Sequence, residues 1–229
     1  MKYKAVIFDL GGTLVRNVGW GAYEEAALRI AEQLSAPVDE FTRQWFEESS
    51  RLGTGDFTNY SEYIRYTCSE IGYQTPEDKL HDASDIMVDV SRRLVAGVRN
   101  DAIELLSWLK SRNYRTGLIS DCFSDIPALW DSTPFASLID VAVFSCFEKR
   151  VKSDIRIFHT ALNKLAVSPD KCMYIADGMR NELTNAASLG MQAVQIYLPK
   201  EIDHSPIRED WKGTVISSLS EIKNLLEGV

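Results

Sequence analysis

Ala5-Val6-Ile7-Phe8-Asp9-Leu10-Gly11-Gly12-Thr13-Leu14 places four apolar residues, a carboxylate and two glycines in succession near the start of the chain. An apolar run this short, ended by a polar residue, suits a strand of parallel sheet buried on both faces. Asp9 then stands at the strand's carboxyl end, and the glycines leave backbone N–H groups free to approach an anion closely. Taken alone, the segment fits equally well a turn that Asp9 caps and whose glycines supply positive φ.

Two further runs have the same form: Thr116-Gly117-Leu118-Ile119 before Ser120, and Cys172-Met173-Tyr174-Ile175-Ala176 before Asp177. Val141 to Phe144, Ala193 to Tyr197 and Val215-Ile216 are additional candidate strands. Between them lie segments with helical spacing, such as Ile155, Phe158, Leu162 and Leu165, or Ile103, Leu106 and Leu109 behind the candidate cap Asn100. Strands alternating with helices predict an α/β fold with a doubly wound, Rossmann-like parallel sheet. Ligands in such sheets sit at the carboxyl ends of the strands where the strand order reverses, which is the kind of position Asp9, Ser120 and Asp177 occupy.

Residues 16–97 read differently. They hold no strand pattern but four helix-like pieces, separated by Ala36-Pro37, Gly53-Thr54-Gly55 and Gln74-Thr75-Pro76. This predicts an all-helical cap inserted after the first strand, with 1–15 and 98–229 forming the core. Its aromatic residues, including Trp20, Tyr23, Trp45 and Tyr63, are read as packing between helices.

Composition narrows the function. The 229 residues are 45% apolar, and 33 acidic against 25 basic residues give a net charge of -8, which repels phosphate backbones and argues against nucleic acid as a partner. No apolar stretch approaches the ~20 residues of a membrane span, so no membrane partner is expected. Met1 to Asp9 lacks the pattern of a signal peptide, and Cys68, Cys122, Cys146 and Cys172 form no close pairs. Reduced thiols, a cytoplasmic location and a monomer or homodimer are the expectations.

The chemistry rests on an ordered set of residues. Singly, Lys152 reads as a solvated lysine, Glu182 as a first-turn helix acid and Ser120 as a helix cap. Together the set resembles the haloacid dehalogenase (HAD) superfamily. The first motif of that superfamily, Asp-x-Asp-Gly-Thr, matches Asp9 to Thr13, and the second matches Leu118-Ile119-Ser120. The third matches Lys152 in Val151-Lys152-Ser153-Asp154. The fourth matches Tyr174-Ile175-Ala176-Asp177-Gly178-Met179-Arg180-Asn181-Glu182, with Asp177 standing 25 residues after Lys152.

The resemblance implies that Asp9 attacks phosphorus and forms an aspartyl-phosphate, dividing hydrolysis into two easier steps. It implies Mg²⁺ held by Asp9, the Gly11 carbonyl and Asp177, with Glu182 reaching the metal through water or orienting Lys152. Gly11, Gly12, Ser120, Asp121 and Lys152 would bind the phosphoryl oxygens. The expected activity is Mg²⁺-dependent hydrolysis of a small phosphorylated metabolite, with the cap acting as a lid that excludes water and sets specificity.

One departure bears on mechanism. Phosphatase branches of the superfamily carry a second Asp two residues after the nucleophile, as the leaving group's general acid, and here that position is Gly11. General acid-base catalysis is typically worth about 10² to 10⁴ in rate. Three explanations stand: the cap lends an acid, with Asp56 the candidate; the leaving group needs none; or the reaction differs. A 2-haloacid dehalogenase-like hydrolase is one alternative, although such enzymes carry a small hydroxyl residue where this chain has Asp177. A phosphonate-cleaving enzyme would need a cap lysine, and Lys79 is the only one in residues 16–97. A catalytically weakened member that binds a phosphorylated ligand or a partner is the other alternative. His81, His159 and His204 are too scattered for a zinc site. Cys122 reads as a small buried hydrophobe near the site, and Arg16 and Arg51 as candidates to contact substrate from the junction of cap and core.

Overall fold

The computed structural model describes residues 2–198 and 208–228, so His204 lies outside the described residues. Strands β1 (Ala5–Phe8), β2 (Arg115–Ser120), β3 (Val141–Phe144), β4 (Cys172–Ala176), β5 (Gln192–Ile196) and β6 (Thr214–Ile216) form one sheet in the order β3-β2-β1-β4-β5-β6. Every neighbouring pair is parallel. β1 pairs with both β2 and β4, so Phe8 stands opposite Leu118 on one side and Ile175 on the other. The strand order reverses between β1 and β4, which opens a crevice at their carboxyl ends.

Period-two alternation sends each strand's side chains to two separate cores. Val6, Phe8, Leu118, Met173 and Val194 pack on one face, with residues of the helix at Asn100–Ser111. Ala5, Ile7, Ile119, Val143 and Tyr174 pack on the other, against Phe158, Leu162 and Leu165 of the helix at Arg156–Leu165. Gly117 makes that approach possible, because a Cβ there would stand 2.9 Å from Leu165 Cδ1 and 3.1 Å from Ile7 Cγ1. The rings of Phe158 and Tyr174 meet edge to face at 5.1 Å, and truncating such a buried aromatic costs roughly 3–5 kcal/mol.

In chain order the helices are α1 (Trp20–Leu34), α2 (Val38–Glu47), α3 (Ser50–Gly53), α4 (Tyr60–Glu70), α5 (Leu80–Ala96), α6 (Asn100–Ser111), α7 (Asp125–Trp130), α8 (Ser145–Glu148), α9 (Arg156–Leu165), α10 (Glu182–Ser188) and α11 (Ile222–Glu227). α1 to α5 fall between β1 and β2 and share a third core, in which Ile30, Leu34, Phe41, Trp45, Tyr63 and Val90 are all buried. The Tyr63 ring meets that of Trp45 at a tilt of 60°, with centroids 4.5 Å apart, and its hydroxyl donates to the Trp45 carbonyl. Two details differ from the sequence reading. The helical stretch holds five α-helices rather than four pieces, because the Gly53 break is itself the end of a one-turn helix, α3. Asn100 is the first residue of α6 rather than its cap, a place taken by Arg99 in extended conformation.

The two chain segments that lead into and out of these helices run side by side. Val15 and Val98 form an antiparallel bridge. The Arg16 amide donates to the Gly97 carbonyl at 2.8 Å, and the Arg99 amide to the Leu14 carbonyl at 3.1 Å.

Candidate active site

Asp9 follows β1 and Asp177 follows β4, so the crevice lies between two carboxylates supplied by adjacent strands. The Asp9 amide donates to the Ile175 carbonyl at 2.9 Å, which extends the β1–β4 pairing to the residue itself. Gly12 permits the close approach of the two loops. At φ 73° it takes a left-handed conformation, and a Cβ there would lie 2.5 Å from Asp177 Oδ2.

Lys152 reaches the same place from the segment after α8. Its backbone is held from two sides: the Lys152 amide donates to Asp121 Oδ1 at 2.8 Å, and Asn185 Nδ2 donates to the Lys152 carbonyl at 2.9 Å. Its ammonium is 2.5 Å from Asp9 Oδ1 and 2.5 Å from Glu182 Oε2, with all three residues buried. Burial alone would depress the lysine's pKa, but Asp9, Glu182 and Asp121 outweigh it and hold the ammonium well above its ordinary value.

Glu182 opens α10 and is fully buried. Oε2 accepts from Lys152 and from the Tyr174 hydroxyl at 2.8 Å, while Oε1 accepts from the amides of Gly178 at 3.1 Å and Met179 at 2.9 Å. Four donors therefore fill its two oxygens. In this arrangement Glu182 anchors the lysine and the loop after β4.

Asp177 is arranged otherwise. Arg208 Nη2 stands 3.1 Å from Oδ2, and the Asp177 carbonyl accepts from Arg208 Nη1 at 2.5 Å and Gln195 Nε2 at 3.0 Å. Oδ1 is buried with no hydrogen-bond partner among the described residues. Asp9 Oδ2 accepts only a 3.2 Å bond from Thr13 Oγ1 among the described contacts. Burial pushes the Asp9 carboxyl up to about 7 against the pull of Lys152. Burial, followed by repulsion from Glu182 and Asp9, pushes Asp177 up to about 8.

These groups suit a divalent cation. Carboxylate oxygens of Asp9, Asp177 and Glu182 lie within 4.8 Å of one another, whereas among the described residues the ammonium of Lys152 and the guanidinium of Arg208 are the cations that contact them. Three buried carboxylates against two cations leave an anionic surplus, and the unpartnered Asp177 oxygen is a hard ligand of the type Mg²⁺ takes. With Glu182 already saturated, Asp9 and Asp177 are the side chains free to bind it.

A cavity of about 290 Å³ opens over this cluster. Asp9, Gly11, Ser120, Asp121, Lys152 and Asp177 line it from the core, and Trp20, Tyr23, Phe46, Tyr60 and Ser91 line it from the helical insertion. Several aromatic residues read from sequence as packing thus also border the cavity. Buried Ser120 and Cys122 both line it; the Cys122 amide donates to Ser145 Oγ at 3.0 Å. Asp121 also leaves one buried oxygen without a partner, and burial raises its carboxyl above the usual range.

Other candidate residues lie elsewhere. Asp56 is not among the cavity-lining residues: Arg51 Nε donates to its Oδ2 at 3.0 Å and Thr54 Oγ1 to its Oδ1 at 3.1 Å. Arg51 stacks on Phe57 and Tyr66, 5.0 and 4.7 Å from their ring centroids. His81 faces Asp85 on the surface, and His159 is exposed. All four cysteines are free and buried. Arg208, Thr13 and Tyr174 were not assigned roles from sequence. Thr13 lies inside the quoted motif, but Arg208 is one arginine in a polar stretch and carries no local signal.

No described helix is long and apolar enough to cross a membrane. A family model described as haloacid dehalogenase-like hydrolase matches residues 3–190. The chain is 26% identical over 221 residues to acyl-CoA dehydrogenase family member 10 of Mus musculus, matching 86% of this chain but spanning only 18% of that protein's length. It is 26% identical over 240 residues to glyceraldehyde 3-phosphate phosphatase of Methanothermobacter thermautotrophicus, covering 97% of this chain and 99% of the other. Among solved structures, a HAD phosphatase from Thermococcus onnurineus superposes with a TM-score of 0.65 at 20% identity, covering 98% of each chain.

Proposed function

The chain belongs to the haloacid dehalogenase-like hydrolases, and from that premise we propose that it is a Mg²⁺-dependent phosphohydrolase acting on a small phosphorylated metabolite through Asp9. The observation that carries the reading is the buried, unpartnered Asp177 Oδ1 beside Asp9 in a cluster with more carboxylates than cations. Its phosphatase relative of similar length supports the same class of substrate.

In this reading Asp9 supplies the nucleophilic oxygen and carries the phosphoryl group until water releases it. Asp9, Asp177 and the Gly11 carbonyl would hold Mg²⁺, which when bound would supply positive charge to keep Asp9 ionised and offset charge on the phosphoryl oxygens. Lys152 brings a fixed ammonium to the same oxygens, pre-positioned by Glu182, so little reorganisation is needed during transfer. Ser120 donates a hydroxyl from the end of β2, and backbone amides at Gly11, Gly12 and Asp121 complete the cradle. Residues 16–97 act as the cap that shields this chemistry from water.

Gly11 shapes the reaction's limits. A Cβ there would meet only Leu94 Cδ1 among the described residues, at an ordinary contact distance of 4.0 Å, so a side chain can leave the backbone at this position without a clash. With Asp56 held by Arg51, the proposed enzyme cleaves alkyl esters without the second Asp's help, and so more slowly than an enzyme that carries it. The same feature is compatible with a second reading, displacement of halide from a 2-haloacid, since halide leaves without a proton.

Release of phosphate from 4-nitrophenyl phosphate, with and without Mg²⁺, for wild type and Asp9→Asn, tests the proposal. Metal-dependent turnover that Asp9→Asn abolishes is expected. Metal-independent halide release from 2-chloropropionate would establish the second reading, and phosphate binding without turnover of either compound would leave a ligand-binding role.

A further inference from the structure

Among the residues that line the cavity, Asp125 is the one carboxylate on the side of the insertion rather than in the cluster around Lys152. It opens α7, five residues after Ser120, and shares the cavity wall with Tyr60 of α4 and Ser91 of α5. Both of its carboxylate oxygens are buried, and neither has a well-formed hydrogen bond among the described residues. The hydroxyls of Ser91 and Tyr60 and the amides of Asp125 and Ile126 are near enough to pull its pKa down, yet burial prevails and leaves it raised. Tyr60 is buried too, and its ring meets Phe123 edge-on at 4.7 Å.

An unpaired carboxylate under apolar walls is costly unless something satisfies it. Among the described residues the Ser91 and Tyr60 hydroxyls stand beside it, but neither completes a well-formed hydrogen bond to its oxygens. The neighbouring segment is otherwise well tied: Ser124 Oγ donates to the Thr58 carbonyl at 2.7 Å, which docks the start of α7 onto the turn before α4. Asp125 is therefore held in place at the junction, on the cavity wall, with both of its buried oxygens short of a partner. Much of the wall around it is apolar, with Met87, Leu94, Phe123 and Ile126 contributing. A single acceptor in such a wall selects strongly for ligands that bring a donor to it.

We propose that Asp125, flanked by Tyr60 and Ser91, is a specificity-determining residue that accepts a hydrogen bond from an O–H or N–H group on the leaving-group half of the substrate. This rests on the phosphohydrolase reading of the site and narrows it to esters of alcohols that carry a further hydroxyl or an ammonium. Simple alkyl esters leave the carboxylate desolvated and unpaired, so they bind poorly.

The test compares kcat/KM for glycerol 1-phosphate, 2-aminoethyl phosphate and propyl phosphate in wild type, Asp125→Asn and Tyr60→Phe, with thermal melting to show that each variant is folded. A hydrogen bond to a charged group predicts that wild type favours at least one donor-bearing ester over propyl phosphate by roughly ten- to a hundred-fold. In Asp125→Asn that ratio collapses towards one, mainly through KM, and Tyr60→Phe lowers it less. A larger loss for 2-aminoethyl phosphate than for glycerol 1-phosphate identifies the donor as an ammonium, and the reverse identifies a hydroxyl. Absence of any preference in the wild type overturns the proposal without recourse to a variant. A uniform fall on all three esters in Asp125→Asn, with the ratio kept, also overturns it, because that pattern belongs to a proton donor. Failure of the wild type to release phosphate from any ester, 4-nitrophenyl phosphate included, removes the phosphohydrolase reading itself and this proposal with it.

Discussion

Lys152 Nζ lies 2.5 Å from Glu182 Oε2, and the carboxylate's other oxygen is taken by the amides of Gly178 and Met179. One side chain therefore fixes both the ammonium and the loop that carries Asp177. Glu182→Gln preserves the shape but turns one oxygen into an NH₂ group, which must face donors on either side. Losing one partner of a buried pair costs roughly 3–5 kcal/mol. For a chain of this size that is a fall in melting temperature of about 10 °C, and the loosened lysine lowers kcat as well. Melting curves and phosphate release measured on the same preparation check both effects.

Gly11→Asp restores the carboxylate that the motif otherwise carries, at a position where an added Cβ makes only an ordinary contact, 4.0 Å from Leu94 Cδ1. Turnover of alkyl phosphates is expected to rise by about 10² or more, while 4-nitrophenyl phosphate, whose leaving group needs little help, gains little. Equal gains on both substrates would count against a missing proton donor as the cause.

Asp177→Asn separates stability from metal binding. Its carboxyl is pushed up to about 8 by burial and by Glu182 and Asp9, so the neutral amide is expected to leave the melting temperature in chelator unchanged or higher. Added Mg²⁺ stabilises the wild type by about 2.7 kcal/mol at a hundred times its dissociation constant. The variant loses that increment. Thermal shift against Mg²⁺ concentration, in both proteins, reads it directly.

Asp140 gives a pH-dependent prediction away from the site. Burial would raise its pKa, but Lys110 at 2.6 Å, the Thr116 amide at 2.8 Å and the Thr116 hydroxyl outweigh that and hold it below the usual carboxylate value. A depressed folded-state value means stability that is complete above the unfolded value and lost as pH falls through the folded one. Because the pair is partly solvated, its contribution is no more than about 1 kcal/mol. Asp140→Asn should melt lower than wild type at neutral pH, and the two should converge in acid; a constant gap at every pH would rule out the ion pair as its source.

The sheet was legible because its strands are buried on both faces, and such strands read as unbroken apolar runs ended by a polar residue, as at Phe8-Asp9 and Ala176-Asp177. Asp9, Lys152 and Asp177 could be chosen because the spacing of several motifs supports each of them. Arg208 and Asp125 could not be found that way. Arg208 reaches Asp177 from 31 positions further along the chain, and nothing local marks the contact. Asp125 reads as an ordinary first-turn helix acid until Tyr60 and Ser91, from a different part of the chain, are seen beside it. The role of Glu182 was open between metal and lysine in the sequence, because saturation of a carboxylate depends on donors such as Tyr174 that only three dimensions bring together.

The bridge between Val15 and Val98 means that the helical insertion begins and ends at adjacent points of one short ribbon. A module joined in that way can be lengthened, traded for another or remodelled while the strand tips that hold Asp9 and Asp177 keep their spacing. Evolution can then retune which molecule is admitted without disturbing how it is cleaved, and grafting a different helical module between Val15 and Val98 is a route to new selectivity on the same chemical engine.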